Sequence, residues 1–245
     1  MPLAQAGTLL VAAASDLVYC IDELGAAFRA QAPGAEVKVS TGASGNFFAQ
    51  IKRGAPFDVF MSADMEYPRQ LAQQGAADPA SLRPYAIGRL AVWTLDTRLD
   101  PAQGMRLFAD ARVTRVAIAN PDVAPYGRAA RAALMHHGVW QQVQGKLAMG
   151  DNVAQAAQFV QTGNAQAGIV SLASVLAPRM QGVGRHYVVP QEGLAPLEQG
   201  VVVTQQGKAN PLAARFVQFL QTPAAREILQ RSGFGLPRTA AGGGE

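Results

Sequence analysis

The chain has 245 residues, of which 49% are hydrophobic and only 16% are charged, and 21 basic against 17 acidic residues give a formal net charge of +4. This length can bury a sizeable core, as one large domain or two modest lobes, and the composition excludes a disordered protein. The single cysteine, Cys20, excludes an intrachain disulfide and a cysteine-rich zinc site. No run of about 18 apolar residues predicts a membrane span.

The positive net charge does not indicate a nucleic-acid-binding protein. The basic residues are scattered along the chain, and Lys52 and Arg53 are the only adjacent pair. A nucleic-acid interface is expected to concentrate basic residues on one face, often with aromatic residues between them, and no such stripe is present. We therefore expect a solvated surface of modest positive charge and no nucleic-acid partner.

Predicted strands and helices alternate along most of the chain. Short apolar runs predict strands at 8–14, 36–40, 58–62, 90–94, 116–119, 167–170 and 200–204. Apolar residues at helical spacing predict helices at 17–28, 44–54, 126–137, 153–162 and 211–232. This alternation is typical of an α/β protein with parallel sheets.

The pattern predicts two lobes, because two separate sets of strand–helix–strand units are present. We expect one lobe at 7–86 and 200–238 and the other at 87–199, with the chain crossing between them near 85–88 and 197–200. Residues 1–6 contain a small-x-small match to a signal cleavage site, and we interpret them as the remnant of a removed export signal or as added residues. Residues 239–245 are predicted to be a disordered tail.

Four predicted helices begin just after a small polar or glycine-rich step, at 14–16, 42–46, 125–127 and 150–153. A helix N-terminus has backbone N–H groups without intrahelical partners and the positive end of the helix dipole, so it favours an anion. In α/β sheets such helix starts border the ligand crevice. The glycines of these steps would let the backbone approach a ligand closely. Together the four steps favour an anion-binding site over simple helix capping.

Several motifs resemble the periplasmic molybdate-binding proteins of ABC importers. The resemblance is carried by AAAS at 12–15, SGNFFAQI at 44–51 and, most specifically, GAPFDVFMSAD at 54–64. It continues in the expected order with YAIG at 85–88, ANP at 119–121, PYG at 125–127, NV at 152–153 and AGIV at 167–170. The likeness covers residues 8–237, which is nearly the whole chain.

The resemblance implies a type II periplasmic binding protein fold, in which two Rossmann-like lobes joined by a two-crossing hinge close a cleft over one tetrahedral oxyanion. It implies high-affinity binding of molybdate, and also of tungstate, and delivery of the oxyanion to the membrane permease of an ABC importer. The expected protein is exported to the periplasm, is monomeric, has no cofactor and no direct protein ligands to a metal ion, and is not an enzyme.

The resemblance also implies which residues bind the oxyanion. Ser15 and Ser44 would donate through their hydroxyls and Val153 through its backbone N–H. Tyr126 stands where some members of the family use a tyrosine and others only the backbone N–H. Ser171 stands where some members have a tyrosine, so its contact with the ligand is the least secure of this set.

Asp16, beside Ser15, departs from the pattern, because relatives often have Asn or Thr at this position. A carboxylate that touches a dianion is repelled by it, and burial increases that penalty. Two interpretations remain open. Asp16 turns away from the ligand and caps its own helix, which we expect, or the ligand carries a proton that Asp16 accepts.

Three other functions are compatible with parts of the sequence. The same class of binding protein could take sulfate, phosphate or a small organic anion. A serine hydrolase is disfavoured, because the glycines around Ser44 do not have the spacing of a nucleophile elbow, and because His136, His137 and His186 are expected at the surface. A regulator's ligand-sensing domain would need an attached DNA-binding segment, which we do not expect here.

Overall fold

The chain is organised around two five-stranded β-sheets. The computed structural model describes residues 7–237, so the predictions for residues 1–6 and for the tail at 239–245 lie outside the described residues. Within residues 7–237 the strands are β1 Gly7–Ala14, β2 Ala35–Gly42, β3 Val59–Ser62, β4 Arg83–Gly88, β5 Leu90–Thr94, β6 Val116–Ala119, β7 Leu147–Gly150, β8 Ala167–Ser171, β9 Arg185–Val188 and β10 Leu197–Val203.

Helices connect most of these strands. Within residues 7–237 the α-helices are α1 Ile21–Gln31, α2 Ser44–Lys52, α3 Glu66–Gln73, α4 Pro125–His136, α5 Trp140–Val143, α6 Val153–Gln161, α7 Leu172–Leu176, α8 Pro211–Phe219 and α9 Pro223–Arg231. Short 3-10 helices supplement them, of which Ser15–Tyr19 matters most because it follows β1 directly. None of the helices in this part of the chain is long and apolar enough to cross a membrane.

The predicted single helix at 211–232 is wrong, because the structure has two helices there. The first ends at Phe219 and the second begins at Pro223. Proline has no backbone N–H to continue a helix but fits the first position of a new one. The Thr222 hydroxyl caps this second helix by accepting a hydrogen bond from the N–H of Ala225.

Each sheet contains both parallel and antiparallel pairs, whereas the sequence predicts parallel sheets. The first sheet has the order β2-β1-β3-β10-β4, and the second has the order β7-β6-β8-β5-β9. One strand of each sheet is reversed. In the first sheet β10 runs antiparallel to β3 and β4, and in the second β5 runs antiparallel to β8 and β9. Both are the first strands after the chain has crossed from the other sheet. Each of them enters its sheet at the edge where the parallel strands of that sheet end, and therefore runs in the direction opposite to theirs.

The crossings lie close to their predicted positions. Strand β4 continues in the first sheet to Gly88, where it pairs with Leu197 at the start of β10, and β5 of the second sheet begins at Leu90. The first sheet thus extends two or three residues beyond the boundaries predicted at 86/87 and 199/200. The division of the chain into lobes at those boundaries stays a prediction.

The first sheet is covered by helices on both faces, because alternate side chains of a strand point to opposite sides. Leu9, Val11 and Ala13 of β1 belong to one buried cluster with residues of α1, α8 and α9, whereas Ala12 packs on the other side with Phe47 of α2 and residues of α3. The second sheet is likewise buried, and every residue of β5, β6 and β8 is buried. This packing brings the carboxyl ends of the parallel strands to the crevice between the sheets.

Candidate anion-binding site

A small cavity lies where the edges of the two sheets face each other. Segments that follow β1, β2 and β3 line it from one side, and the starts of α4 and α6 line it from the other. The lining residues are Ala14, Ser15, Asp16, Gly42, Ala43, Ser44, Ala63, Ala124, Pro125, Tyr126, Asn152 and Val153. Apart from Asp16, none of these side chains carries a charge at neutral pH.

The cavity brings together five of the six residues that the sequence proposed as ligand contacts. These are Ser15, Asp16, Ser44, Tyr126 and Val153. They come from four segments that are far apart in the sequence, and each segment reaches the cavity at the start of a helix. The predicted clustering of the helix starts is therefore present in the structure, whereas the ligand contacts themselves stay a prediction.

Ser171, the sixth residue, does not line this cavity. Its side chain is fully buried and caps α7, because its Oγ accepts a hydrogen bond from the N–H of Ser174 at 3.2 Å. The two serine hydroxyls also contact each other at 2.6 Å. The structure therefore uses the Ser171 hydroxyl to start a helix and does not bring it to the other candidates.

Two buried serines supply hydroxyl groups from the first sheet. Ser15 begins the 3-10 helix after β1, and Ser44 is the first residue of α2, after β2. The Oγ of Ser44 accepts a hydrogen bond from the N–H of Ala63 at 3.0 Å. This hydroxyl donates no hydrogen bond within the described residues, so its proton is available to donate to a ligand.

Helix starts supply backbone donors from the second sheet. Asn152 caps α6 by accepting the N–H of Gln155 at 3.1 Å, and Val153 follows as the first residue of the helix, where its N–H has no intrahelical acceptor. Tyr126 is the second residue of α4, after Pro125, and its N–H likewise has no intrahelical acceptor. Both helices also direct the positive ends of their dipoles to the cavity.

Asp16 is fully buried, and a second polar layer behind the cavity holds its carboxyl group. Gln199 of β10 donates from Nε2 to Oδ2 of Asp16 at 2.6 Å. Tyr85 of β4 donates its hydroxyl to Oε1 of Gln199, also at 2.6 Å, and the same hydroxyl lies 3.3 Å from the carbonyl oxygen of Ser62. The Tyr126 hydroxyl lies 3.5 Å from the same Nε2. Oδ1 of Asp16 has no hydrogen-bond partner in the described part of the chain.

Burial raises the pKa of Asp16 to about 6, because desolvation penalises the charged form. The side-chain polar groups of Gln199 and Tyr126, and the nearby backbone N–H groups of Asp16 and Leu17, lower this pKa and offset only part of the effect. Burial, followed by the charge of Asp16, also raises the pKa values of Tyr85 and Tyr126 well above 10. Both phenols therefore stay protonated while Asp16 titrates.

The prediction that Asp16 caps its own helix is wrong. The 3-10 helix at Ser15–Tyr19 has no side-chain cap, and the carboxyl group instead accepts a hydrogen bond from Gln199 on another strand. Sequence reasoning missed Gln199 and Tyr85 altogether. Gln199 lies 183 positions from Asp16, so no local pattern connects the two residues.

Two glycines near the site make room for protein atoms, whereas the approach of the backbone to a ligand at the predicted glycines stays a prediction. A Cβ atom on Gly45 would lie 2.8 Å from the carbonyl oxygen of Val123 and 2.7 Å from the hydroxyl of Tyr67. A Cβ atom on Gly127 would overlap the carbonyl oxygen of Ala119. Gly45 thus permits close contact between the two sides of the crevice, and Gly127 permits α4 to pack on β6.

Two contacts join the sides of the crevice beside the cavity. The N–H of Gly45 donates to the carbonyl oxygen of Val123 at 2.9 Å. Arg128 of α4 forms an ion pair with Asp64, which follows β3, and its guanidinium lies 5.2 Å from the centre of the Tyr67 ring. Burial raises the pKa of Asp64, while the N–H of Tyr67 and the charge of Arg128 oppose that shift. The crevice is therefore closed in this structure.

The structure gives no support to a hydrolytic site at Ser44. All three histidines are exposed at the surface, and none of them lines the cavity. Within the described residues, no group of three or more His, Cys, Asp or Glu side chains is placed to hold a metal ion. The groups that face the cavity are suited to hold an anion rather than to activate a nucleophile.

Comparison with known proteins identifies the family. A model of bacterial extracellular solute-binding proteins matches residues 9–235. The molybdate-binding protein ModA of Rhodobacter capsulatus is 36% identical, over 94% of this chain and 89% of its own, and that of Azotobacter vinelandii is 36% identical, over 95% and 92%. The solved periplasmic molybdate-binding protein of Azotobacter vinelandii superimposes with a TM-score of 0.87 at 33% identity, over 94% of this chain and 100% of its own.

These relatives are substrate-binding proteins and not enzymes, and the predicted two-lobed fold is confirmed. The chain therefore belongs to the bacterial extracellular solute-binding proteins and, among them, to the family of the molybdate-binding proteins.

Proposed function

We propose that this protein binds molybdate in the cavity between its lobes and delivers it to the permease of an ABC importer. The observation that carries the proposal is the lining of the cavity, which combines two serine hydroxyls with the N-termini of α4 and α6 and contains no basic side chain. The similarity to molybdate-binding proteins over more than nine-tenths of the chain supports the choice of ligand.

The chemistry of the lining suits a fully ionised tetrahedral oxyanion. Such an ion offers acceptors only, and the hydroxyls of Ser15 and Ser44 with the N–H groups of Tyr126 and Val153 offer donors. A hydrogen bond to a charged group contributes about 1.5–3 kcal/mol, so a few of them suffice for tight binding without a counter-charge. Helix dipoles directed at the site add to this effect.

Tungstate has the same charge and shape as molybdate, and we propose it as a second ligand of the same cavity. Sulfate is a smaller ion that would span fewer of the donors at once, so it should bind more weakly. The rival ligands that the sequence left open, phosphate and small organic anions, are tested in the same experiment.

We place the protein outside the cytoplasmic membrane, in the periplasm, since an importer's binding protein must meet its ligand before the ligand is transported. Export to the periplasm would require a signal sequence. The partner is the permease, to which the loaded protein docks, and we propose a monomer as the binding unit.

Two measurements test which ion the protein binds. Calorimetric titration with molybdate, tungstate, sulfate and phosphate gives the affinities, and each ion's shift of the thermal midpoint of unfolding gives the stabilisation. A ligand that binds only the folded state stabilises it by RT ln(1 + [L]/Kd), so a tight ligand gives a large shift. We expect strong binding of molybdate and tungstate and weak binding of sulfate and phosphate. A thermal midpoint that responds to phosphate and not to molybdate would contradict the proposal.

A further inference from the structure

We propose that binding of the oxyanion is coupled to the uptake of one proton by Asp16, whose neutral carboxyl group then donates a hydrogen bond from Oδ1 to the bound ion. The inference rests on the proposed function and concerns its regulation by pH. Asp16 lines the same cavity as Ser15 and Ser44, and it is the only lining residue whose side chain can carry a charge near neutral pH.

The hydrogen bonds around Asp16 decide which oxygen receives the proton. Oδ2 accepts a hydrogen bond from Nε2 of Gln199, whose Oε1 in turn accepts one from the hydroxyl of Tyr85. Within the described residues, Oδ1 is buried and has no hydrogen-bond partner. A proton on Oδ1 turns this unpartnered acceptor into a donor, which is the kind of group that an oxyanion requires.

No cation neutralises Asp16 in the described part of the chain. The titratable groups near it are Tyr126 from α4, Tyr85 from β4 and Cys20 from the end of its own turn, and none of them is basic. Burial, followed by the charge of Asp16, raises the pKa of the Cys20 thiol to about 12, so this thiol stays neutral.

Other elements that pack on the Ser15–Tyr19 turn carry charged residues, but none of these is among the groups that shift the pKa of Asp16. Helix α1 carries Asp22, Glu23 and Arg29, and the guanidinium of Arg179 lies 5.1 Å from the centre of the Tyr19 ring. Helices α6 and α7 contain no titratable residue. Strand β2 carries Glu36 and Lys38, which are exposed and form an ion pair with each other. Across the crevice, the charge of Arg128 is already paired with that of Asp64. Asp16 is thus the group whose charge changes when a dianion enters the cavity.

The sign of the pH dependence follows from the raised pKa. In the closed crevice, with no ion present, burial raises the pKa of Asp16 to about 6, so this group is mostly ionised at pH 7 and above. A dianion nearby raises this pKa further, so the complex holds a proton that the empty protein does not. The association constant should therefore level off below about pH 6 and fall by up to tenfold for each pH unit above it.

Titration calorimetry with molybdate, between about pH 6.5 and 8.5 and in buffers of different ionisation enthalpy, counts the protons taken up. For the unmodified protein we expect about one proton per bound ion near pH 8 and an affinity that falls as the pH rises. Asp16→Asn keeps a donor at the same position without a titratable group. It should bind with an affinity that does not depend on pH and without proton uptake.

Ser44→Ala is the matched control, because it removes a donor from the same cavity without a titratable group. It should bind more weakly and still take up a proton. Binding by the unmodified protein without proton uptake, or proton uptake that persists in Asp16→Asn, would overturn the role of Asp16. The absence of molybdate binding at every pH would instead refute the proposed function, so the two failures are distinct. Proton counting on the unmodified protein decides the matter even if Asp16→Asn does not fold.

Discussion

Ser44 shows how one side chain can support the loop that holds it and still offer a donor to a ligand. Its oxygen accepts the N–H of Ala63 from the neighbouring segment, which fixes the hydroxyl in place, and its proton remains available to the cavity. Asp16 is held in a comparable way by Gln199, through one oxygen only. At both residues, one half of the polar group is hydrogen-bonded within the protein, and the other half has no partner within the described residues.

Replacement of Ser44 by alanine should weaken molybdate binding by about 1–3 kcal/mol, because one hydrogen bond to a charged ligand is lost. Ser171→Ala is the comparison, since this serine is equally buried but caps α7 away from the cavity. It should cost about 0.5–2 kcal/mol of folding stability and leave the affinity unchanged. Calorimetry for affinity and urea unfolding for stability separate the two effects. Equal affinities for both variants would remove Ser44 from the site.

At the scale of elements, local sequence patterns were sufficient to predict the strands that are buried on both faces. The apolar runs at β1, β3, β5, β6 and β8 predicted these strands because each is enclosed by helices. The edge strands β4, β7 and β9 were missed. Strand β9, for example, begins with the exposed residues Arg185 and His186 and has no apolar run. The polar layer behind the cavity was also missed, because it joins β4, β10 and the turn after β1, which only the folded chain brings together.

Helix α2 approaches the opposite lobe through Gly45, so a side chain here should hold the crevice open. In Gly45→Ala the new Cβ would meet the carbonyl oxygen of Val123 and the hydroxyl of Tyr67. We expect molybdate affinity to fall by about 1–3 kcal/mol, the usual cost of overpacking. Gly145→Ala is the control, since its Cβ would point into open space. A titration that gives the same affinity for both variants would contradict the importance of this contact.

At the scale of the whole molecule, the ion pair between Arg128 and Asp64 holds the two lobes together on one side of the cavity. Arg128→Ala should lower molybdate affinity by about 1 kcal/mol, or roughly fivefold, since the pair is only partly exposed. Arg112→Ala removes an ion pair of similar exposure, with Asp110, that lies within a single lobe. It should leave the affinity unchanged. If both variants bind like the unmodified protein, the ion pair does not contribute to closure.

The donors that we assign to the ion come from both lobes. Ser15, Asp16 and Ser44 belong to the segments of the first sheet, whereas Tyr126 and Val153 belong to helices of the second. When the lobes separate, an ion left on either one would lose several of its hydrogen bonds at once, and no basic side chain of the cavity would retain it. The lifetime of the loaded state is therefore set by the hinge, and a permease that pulls the lobes apart can unload the ion without competing for it chemically.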